Sequence, residues 1–213
     1  MLALIKREFL DGLAVLVGGT IYVLIWIVVL VTLTIDSSHR PPLSIPEPMI
    51  EFLVSLCISI PLFFILLGTV QGYIDKNRKV YTFLCTLAAT RHRLFTARII
   101  FGLSLILWMV LLVAATYAAL LVIYPPLMPY DVMFPVKMLL TLLLLSVTGF
   151  FLGTQWGWAR HWFFTVCSAI LLLAIILCII VIKSFHWQSW ILLSTIAAAA
   201  LIRSWQKFMT EPL

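Results

Sequence analysis

The chain is dominated by long apolar runs that carry no Asp, Glu, Lys or Arg in their interiors, and few folds can accept such runs. Crossing about 30 Å of hydrocarbon takes roughly 20 apolar residues in helical form. In lipid, every backbone N–H and C=O must be satisfied within the segment, which leaves helices as the economical solution. Six runs meet or approach that length, at residues 13–35, 49–73, 99–124, 136–154, 163–182 and 190–202. The expected fold is therefore all-α, a polytopic membrane protein of six transmembrane helices forming one transmembrane domain over residues 1–213. Only 10% of residues are charged and mean hydropathy is +1.18, against roughly 25% charged in soluble domains. No soluble domain, long linker or internal repeat of roughly 20–50 residues is visible.

The connections are short. Residues 36–48 contain four prolines, which exclude regular helix there, and Pro61 inside the second run predicts a kink. The first twelve residues, MLALIKREFLDG, place Ala3, Leu4, Phe9 and Leu10 where they line one face of a short interfacial helix. The run that follows is too long for a signal peptide and lacks a small-x-small cleavage site before polar sequence.

Charge sets the orientation. Lys6, Arg7, Lys76, Arg78, Lys79, Arg91, Arg93, Arg98, Arg160, Arg203 and Lys207 fall on one side of a six-span arrangement, and only Arg40, Lys137 and Lys183 on the other. The positive-inside rule then predicts a multi-pass protein of the cell (inner) membrane with both termini cytoplasmic. The formal net charge of +6 lies at span ends, where it meets anionic headgroups, so nucleic acid is not an expected partner. Trp156, Trp158, Trp162 and Trp205 mark one interface, Trp187 and Trp190 the other. Cys57, Cys167 and Cys178 lie within apolar runs and Cys85 on the cytoplasmic side, so no disulfide is expected.

Residues 75–98, DKNRKVYTFLCTLAATRHRLFTAR, hold six of the fourteen Lys and Arg residues. Between the two basic clusters, Val80, Phe83, Leu84, Leu87 and Ala88 recur at helical spacing, which predicts an amphipathic helix at the membrane surface. It reads either as a docking helix for a soluble partner or as an ordinary positive-inside loop.

Recognisable chemistry is sparse. No GxxxxGK[ST], HExxH, GxSxG or CxxC occurs, so neither nucleotide binding by a P-loop nor the common hydrolase and metal signatures is present. The absence of charge inside the spans counts against ion-coupled transport. His39, Glu47 and Glu51 match no specific metal spacing. No cofactor and no metal are expected. Gly68 and Gly72 form GxxxG, and Gly149, Gly153 and Gly157 repeat it, allowing close helix approach within the bundle or at a homodimer seam. Thr69 and Gln71 are expected to be satisfied by neighbouring helices, with a polar vestibule as the alternative.

The interfacial IKREF segment, six short-looped spans and an amphipathic helix leading into LAATRHRLFTARII together resemble a type 2 ATP-binding-cassette (ABC) transporter permease. Ala88 stands where that family usually has Pro, and Asp75 where Glu is common. The resemblance implies an exporter membrane subunit working with a separate P-loop ATPase subunit and a second permease copy or homologous permease. It implies that Asp75, Arg78, Tyr81, Phe83, Leu84, Leu87 and Arg91 couple to the ATPase. The chain itself would not be an enzyme. The short connection at residues 183–189 leaves no room for the family's re-entrant outer helices, and pathway groups would be apolar, hydroxyl and aromatic. That suits an amphipathic or lipid-like cargo, with haem a further candidate because haem-export permeases of cytochrome maturation are also small six-span chains. The rival expectations are a structural or assembly subunit of a larger membrane complex and, with less support, an intramembrane enzyme.

A single cysteine at position 207, in place of Lys207, should resist impermeant thiol reagents in intact cells and react once the cells are opened. Rapid labelling from outside would overturn the orientation.

Overall fold

The structure, a computed structural model, describes residues 13–38, 47–78, 91–123, 134–156, 167 and 187–210. It is all-helical over these residues and, besides the single helical position 167, contains five helices: α1 (Leu13–Ser38), α2 (Glu47–Arg78), α3 (Arg91–Ile123), α4 (Phe134–Trp156) and α5 (Trp187–Thr210). Three stretches are long and apolar enough to cross a membrane: Val15–Thr32 in α1, Phe95–Ala119 in α3 and Val136–Gln155 in α4. Ser55–Gln71 in α2 is a shorter apolar run. The chain is therefore a membrane protein by length and composition of its helices. The expected interfacial helix at residues 1–12 and the fifth run at 163–182 lie outside the described residues.

Several helices outrun their apolar cores. Residues 72–78 continue α2, so the charged stretch begins on that helix. Arg91, expected in the turn before the third span, is the first residue of α3, and RSWQKFMT continues α5. Helix α2 also runs through Pro61. The lone Ser and Thr hydroxyls inside the helices explain their tolerance in lipid. Thr20, Ser104, Thr116 and Ser146 each donate to the carbonyl four residues back, at 2.7–2.8 Å, so each donor is satisfied within its own helix.

Helix α4 is the centre of the bundle, packed on α2, α5 and α3. Against α2 the contact is backbone on backbone. A Cβ built on Gly68 would lie 2.7 Å from the Phe150 carbonyl oxygen and 2.9 Å from the Thr154 nitrogen. One on Gly149 would lie 3.0 Å from the Pro61 oxygen, and one on Gly153 would strike the Ile65 carbonyl. Pro61 faces Gly149, Ile65 faces Gly149 and Gly153, and Gly68 faces Gly153 and Thr154, so the contacts advance together and the helices run parallel. Helix α5 is also parallel to α4: Trp190 bonds Thr141, Leu193 meets Thr148 and Ala200 meets Gln155. Helix α3 runs the other way, since its first turns meet the ends of α4 and α5. On the far side of the bundle, Tyr22 of α1 stacks on Phe63 of α2 with ring centroids 5.4 Å apart.

The outer surface is apolar. Helix α1 exposes Val17, Ile21, Leu24, Ile25 and Val28 along one side. Helix α3 exposes a stripe from Ile100 through Leu107 and Leu111 to Val122. At 1.5 Å per residue that stripe is about 33 Å long, close to a hydrocarbon core of about 30 Å.

The fold predicts opposite outcomes for two glycines. Gly68→Ala should destabilise the bundle by about 1–3 kcal/mol, because backbone atoms of α4 cannot yield to a methyl group. Gly18→Ala, whose added Cβ meets nothing within 4 Å, should change stability by less than about 0.5 kcal/mol or raise it slightly. Unfolding midpoints in mild detergent measure both, and equal losses would contradict the α2–α4 contact.

Candidate functional site: the basic end of the bundle

Because α2, α4 and α5 are parallel and α3 opposes them, the end of α2, the start of α3 and the ends of α4 and α5 share one end of the molecule. Within the described helices this end gathers Lys76, Arg78, Arg91, Arg93, Arg98, Arg203 and Lys207. The opposite ends of α2–α5 carry Lys137 alone among Lys and Arg. Of the acidic residues of α2, Glu47 and Glu51 are on its first turns and Asp75 is on its last turns, at the basic end. The seven cations thus stand at one end of the bundle.

Aromatic side chains hold this end together. His92 and Phe95 of α3 both meet Trp205 of α5 edge to face, with centroids 4.6 and 5.4 Å away. Phe95 also packs on Phe208 at 5.1 Å. These rings, with Ile99, Leu201 and Met209 around them, form a small core separate from the main one. It lies at the basic end of the bundle and ties the start of α3 to the end of α5. Edge-to-face pairs are each worth about 0.5–1.5 kcal/mol beyond the area they bury.

The α4–α5 contact is polar and regular. Thr141, Thr148 and Gln155 are spaced seven residues apart on α4 and each reaches α5. Trp190 Nε1 donates to Thr141 Oγ1 at 3.0 Å. The Thr148 hydroxyl, bonded at 2.7 Å to Leu144 O, lies 3.4 Å from Leu193 O, and Gln155 Nε2 donates to Ala200 O at 2.5 Å. One turn away, the Thr154 and Ser204 hydroxyls are 3.3 Å apart. The glycine side of α4 thus meets α2 and its hydroxyl and amide side meets α5. Period seven keeps one face towards a nearly parallel neighbour, which is why this spacing serves here.

The residues expected to matter fall as follows. Gly68, Gly149 and Gly153 meet at the α2–α4 contact, Gly72 follows one turn on along α2, and Gly157 lies outside the described residues. Asp75 and Arg78 are on the last turns of α2, and Arg91 opens α3. Tyr81, Phe83, Leu84 and Leu87 lie outside the described residues. Thr69 bonds the Leu66 carbonyl of its own helix at 2.8 Å. The Gln71 side-chain oxygen, by contrast, is buried and accepts no hydrogen bond among the described residues. The clasp of Phe95, Trp205 and Phe208 and the heptad of Thr141, Thr148 and Gln155 were not singled out from the sequence. The heptad was detectable as a seven-residue spacing of polar residues. The clasp pairs positions more than a hundred residues apart and left no local signal. Among the described residues no group of three His, Cys, Asp or Glu side chains is placed to hold a metal.

Replacing Thr141 by Val and Trp190 by Phe, singly and together, should reveal a coupling of about 0.6 kcal/mol, the average for such bonds between membrane helices. A coupling of zero would mean that the indole and hydroxyl do not interact. In comparison with known proteins, the chain matches no family model, no curated protein and no solved structure.

Proposed function

We propose that the chain is the membrane permease subunit of an ATP-driven exporter of the type 2 ABC kind, acting with a separate P-loop ATPase subunit. The observation that carries this reading is the gathering of seven cations and three projecting helix ends at one end of the bundle. A machine driven by a soluble ATPase needs a rigid, extra-membranous handle joined to several spans at once. In this reading the segment that links α2 to α3 is the handle, and the aromatic clasp joins α3 to α5. Movement of the handle is then delivered to helices that are locked to α4 rather than dissipated in loops.

The six-span count draws support from direction. Helices α4 and α5 are parallel, so the end of one and the start of the next lie at opposite ends of the bundle, about 30 Å apart by helix length. A crossing segment joining them makes six spans, with both termini on the basic, cytoplasmic side. The cargo is amphipathic or lipid-like, with haem a candidate, and a second permease copy or a homologous permease completes the membrane portion.

A second reading, a non-transporting structural subunit of a larger complex, draws on the tight backbone contact between α2 and α4, which leaves no passage between them. Purification in mild detergent separates the two. The permease should bring down a P-loop ATPase in equal number, whereas a scaffold should bring down a large assembly without one. Leu84→Asp should then insert normally yet weaken ATPase retention by about ten- to a hundredfold, since a buried Leu contributes roughly 1.5–3 kcal/mol. Charge reversal at Arg78 should do less, because an exposed ion pair is worth under about 1 kcal/mol. Full retention by Leu84→Asp would remove the coupling role.

A further inference from the structure

The main-chain contact of α2 with α4 reaches Gly68, and the apolar run of α2 ends soon after, at Gln71. The helix itself continues to Arg78. The turn at this boundary has a glycine at each end, Gly68 and Gly72, and glycine lends a helix little stiffness. Within the turn the Thr69 hydroxyl bonds the Leu66 carbonyl at 2.8 Å. Such a bond back to the helix's own main chain favours bending.

Gln71 makes the straight form of this turn costly. Its side-chain oxygen is buried and accepts no hydrogen bond among the described residues. A second glutamine nearby is satisfied: Gln155, next to the Thr154 that Gly68 faces, donates to Ala200 O at 2.5 Å. A buried acceptor without a donor disfavours the arrangement that buries it, and an apolar side chain of the same shape carries no such cost.

We propose that α2 hinges in the turn Thr69–Gly72, with the Gly68 contact as its fulcrum. In the straight form the Gln71 oxygen is buried. In the bent form the turns from Gln71 to Arg78 swing off the bundle, and the oxygen takes its hydrogen bond from water. The contact at Gly68, Gly149 and Gly153 stays closed in both, because main-chain atoms meet there. The start of α3, by contrast, is tied to α5 through Phe95, Trp205 and Phe208. The link between α2 and α3 therefore pivots on its α2 side and pulls on its α3 side. The hinge does not rest on the transport reading, since a pivoting basic end serves an ATPase-driven subunit and an assembly subunit alike.

Gln71→Met tests it, because it keeps side-chain length and helix propensity and removes the acceptor. With the full chain in nanodiscs, amide hydrogen exchange at residues 72–78 should slow by about tenfold in this variant, while exchange at 62–68 stays unchanged. The unfolding midpoint in mild detergent should rise. Gln155→Met, which removes a bonded side chain, should lower it. A second measurement reads the motion itself. With Cys57, Cys85, Cys167 and Cys178 replaced by alanine, spin labels at Asn77→Cys and Ile202→Cys, the latter an exposed position of α5, should show two distances. Adding Gln71→Met should leave the shorter one. A lowered midpoint for Gln71→Met would mean that its oxygen has a donor, and would overturn the proposal. Unchanged exchange at 72–78, or a single distance that Gln71→Met does not alter, would overturn it as well.

Discussion

Everything in the bundle depends on the approach of α2 to α4 at Gly68, Gly149 and Gly153. No side chain separates the two backbones there, so neither helix can rotate or slide without a clash between main-chain atoms. Lipid tails are as apolar as leucine, so helices in a membrane gain little from hiding apolar surface from each other. What remains is dispersion between closely fitted atoms and hydrogen bonding, and glycine rows permit the first at its shortest range. The contact also fixes direction. Once α2 and α4 are parallel, the end of α2 and the end of α4 must lie on the same membrane surface.

Helix α4 then uses its other side differently. Thr141, Thr148 and Gln155 present hydrogen-bonding groups to α5 every two turns, which sets its register as firmly as the glycines set that of α2. With α3 opposed to all three, the cations of α2, α3 and α5 converge, and the charges that orient the chain in a membrane become a single surface. The aromatic clasp of His92, Phe95, Trp205 and Phe208 ties α3 to α5 at that surface. Rigidity is therefore uneven. The glycine contact is main chain on main chain, whereas the clasp is built from rings that can turn. Conformational change delivered at the basic end meets the ring contact first.

How much of this was legible in the sequence follows from range. Apolar runs and their lack of charge are local properties, and they gave the all-helical membrane architecture directly. The glycines were visible as GxxxG spacing, but spacing alone left open whether they met another helix of the same chain or a second copy. Only the main-chain distances at Gly68, Gly149 and Gly153 place them within the bundle. Helix ends were less legible, because Arg91 and RSWQKFMT read as surface sequence although they continue α3 and α5. A hydropathy boundary marks where lipid ends, and a helix need not stop there. Gln71 shows the limit of residue-type reasoning: near the end of a span it was expected to find a partner, and its oxygen is buried without one among the described residues.

The central claim is that α2, α4 and α5 run in the same direction and so bring their charged ends to one surface. Disulfide crosslinking in native membranes tests it most directly, using Thr154→Cys with Ser204→Cys in a chain otherwise free of cysteine. The two hydroxyl oxygens, which the sulfurs would replace, are 3.3 Å apart, so a small adjustment brings the sulfurs to the bonding distance of about 2.05 Å. Mild oxidation should therefore link this pair rapidly and within one chain, while Thr154→Cys with Trp190→Cys should stay unlinked. Linkage of Thr154→Cys to position 190 instead of 204 would make α4 and α5 antiparallel and contradict the account.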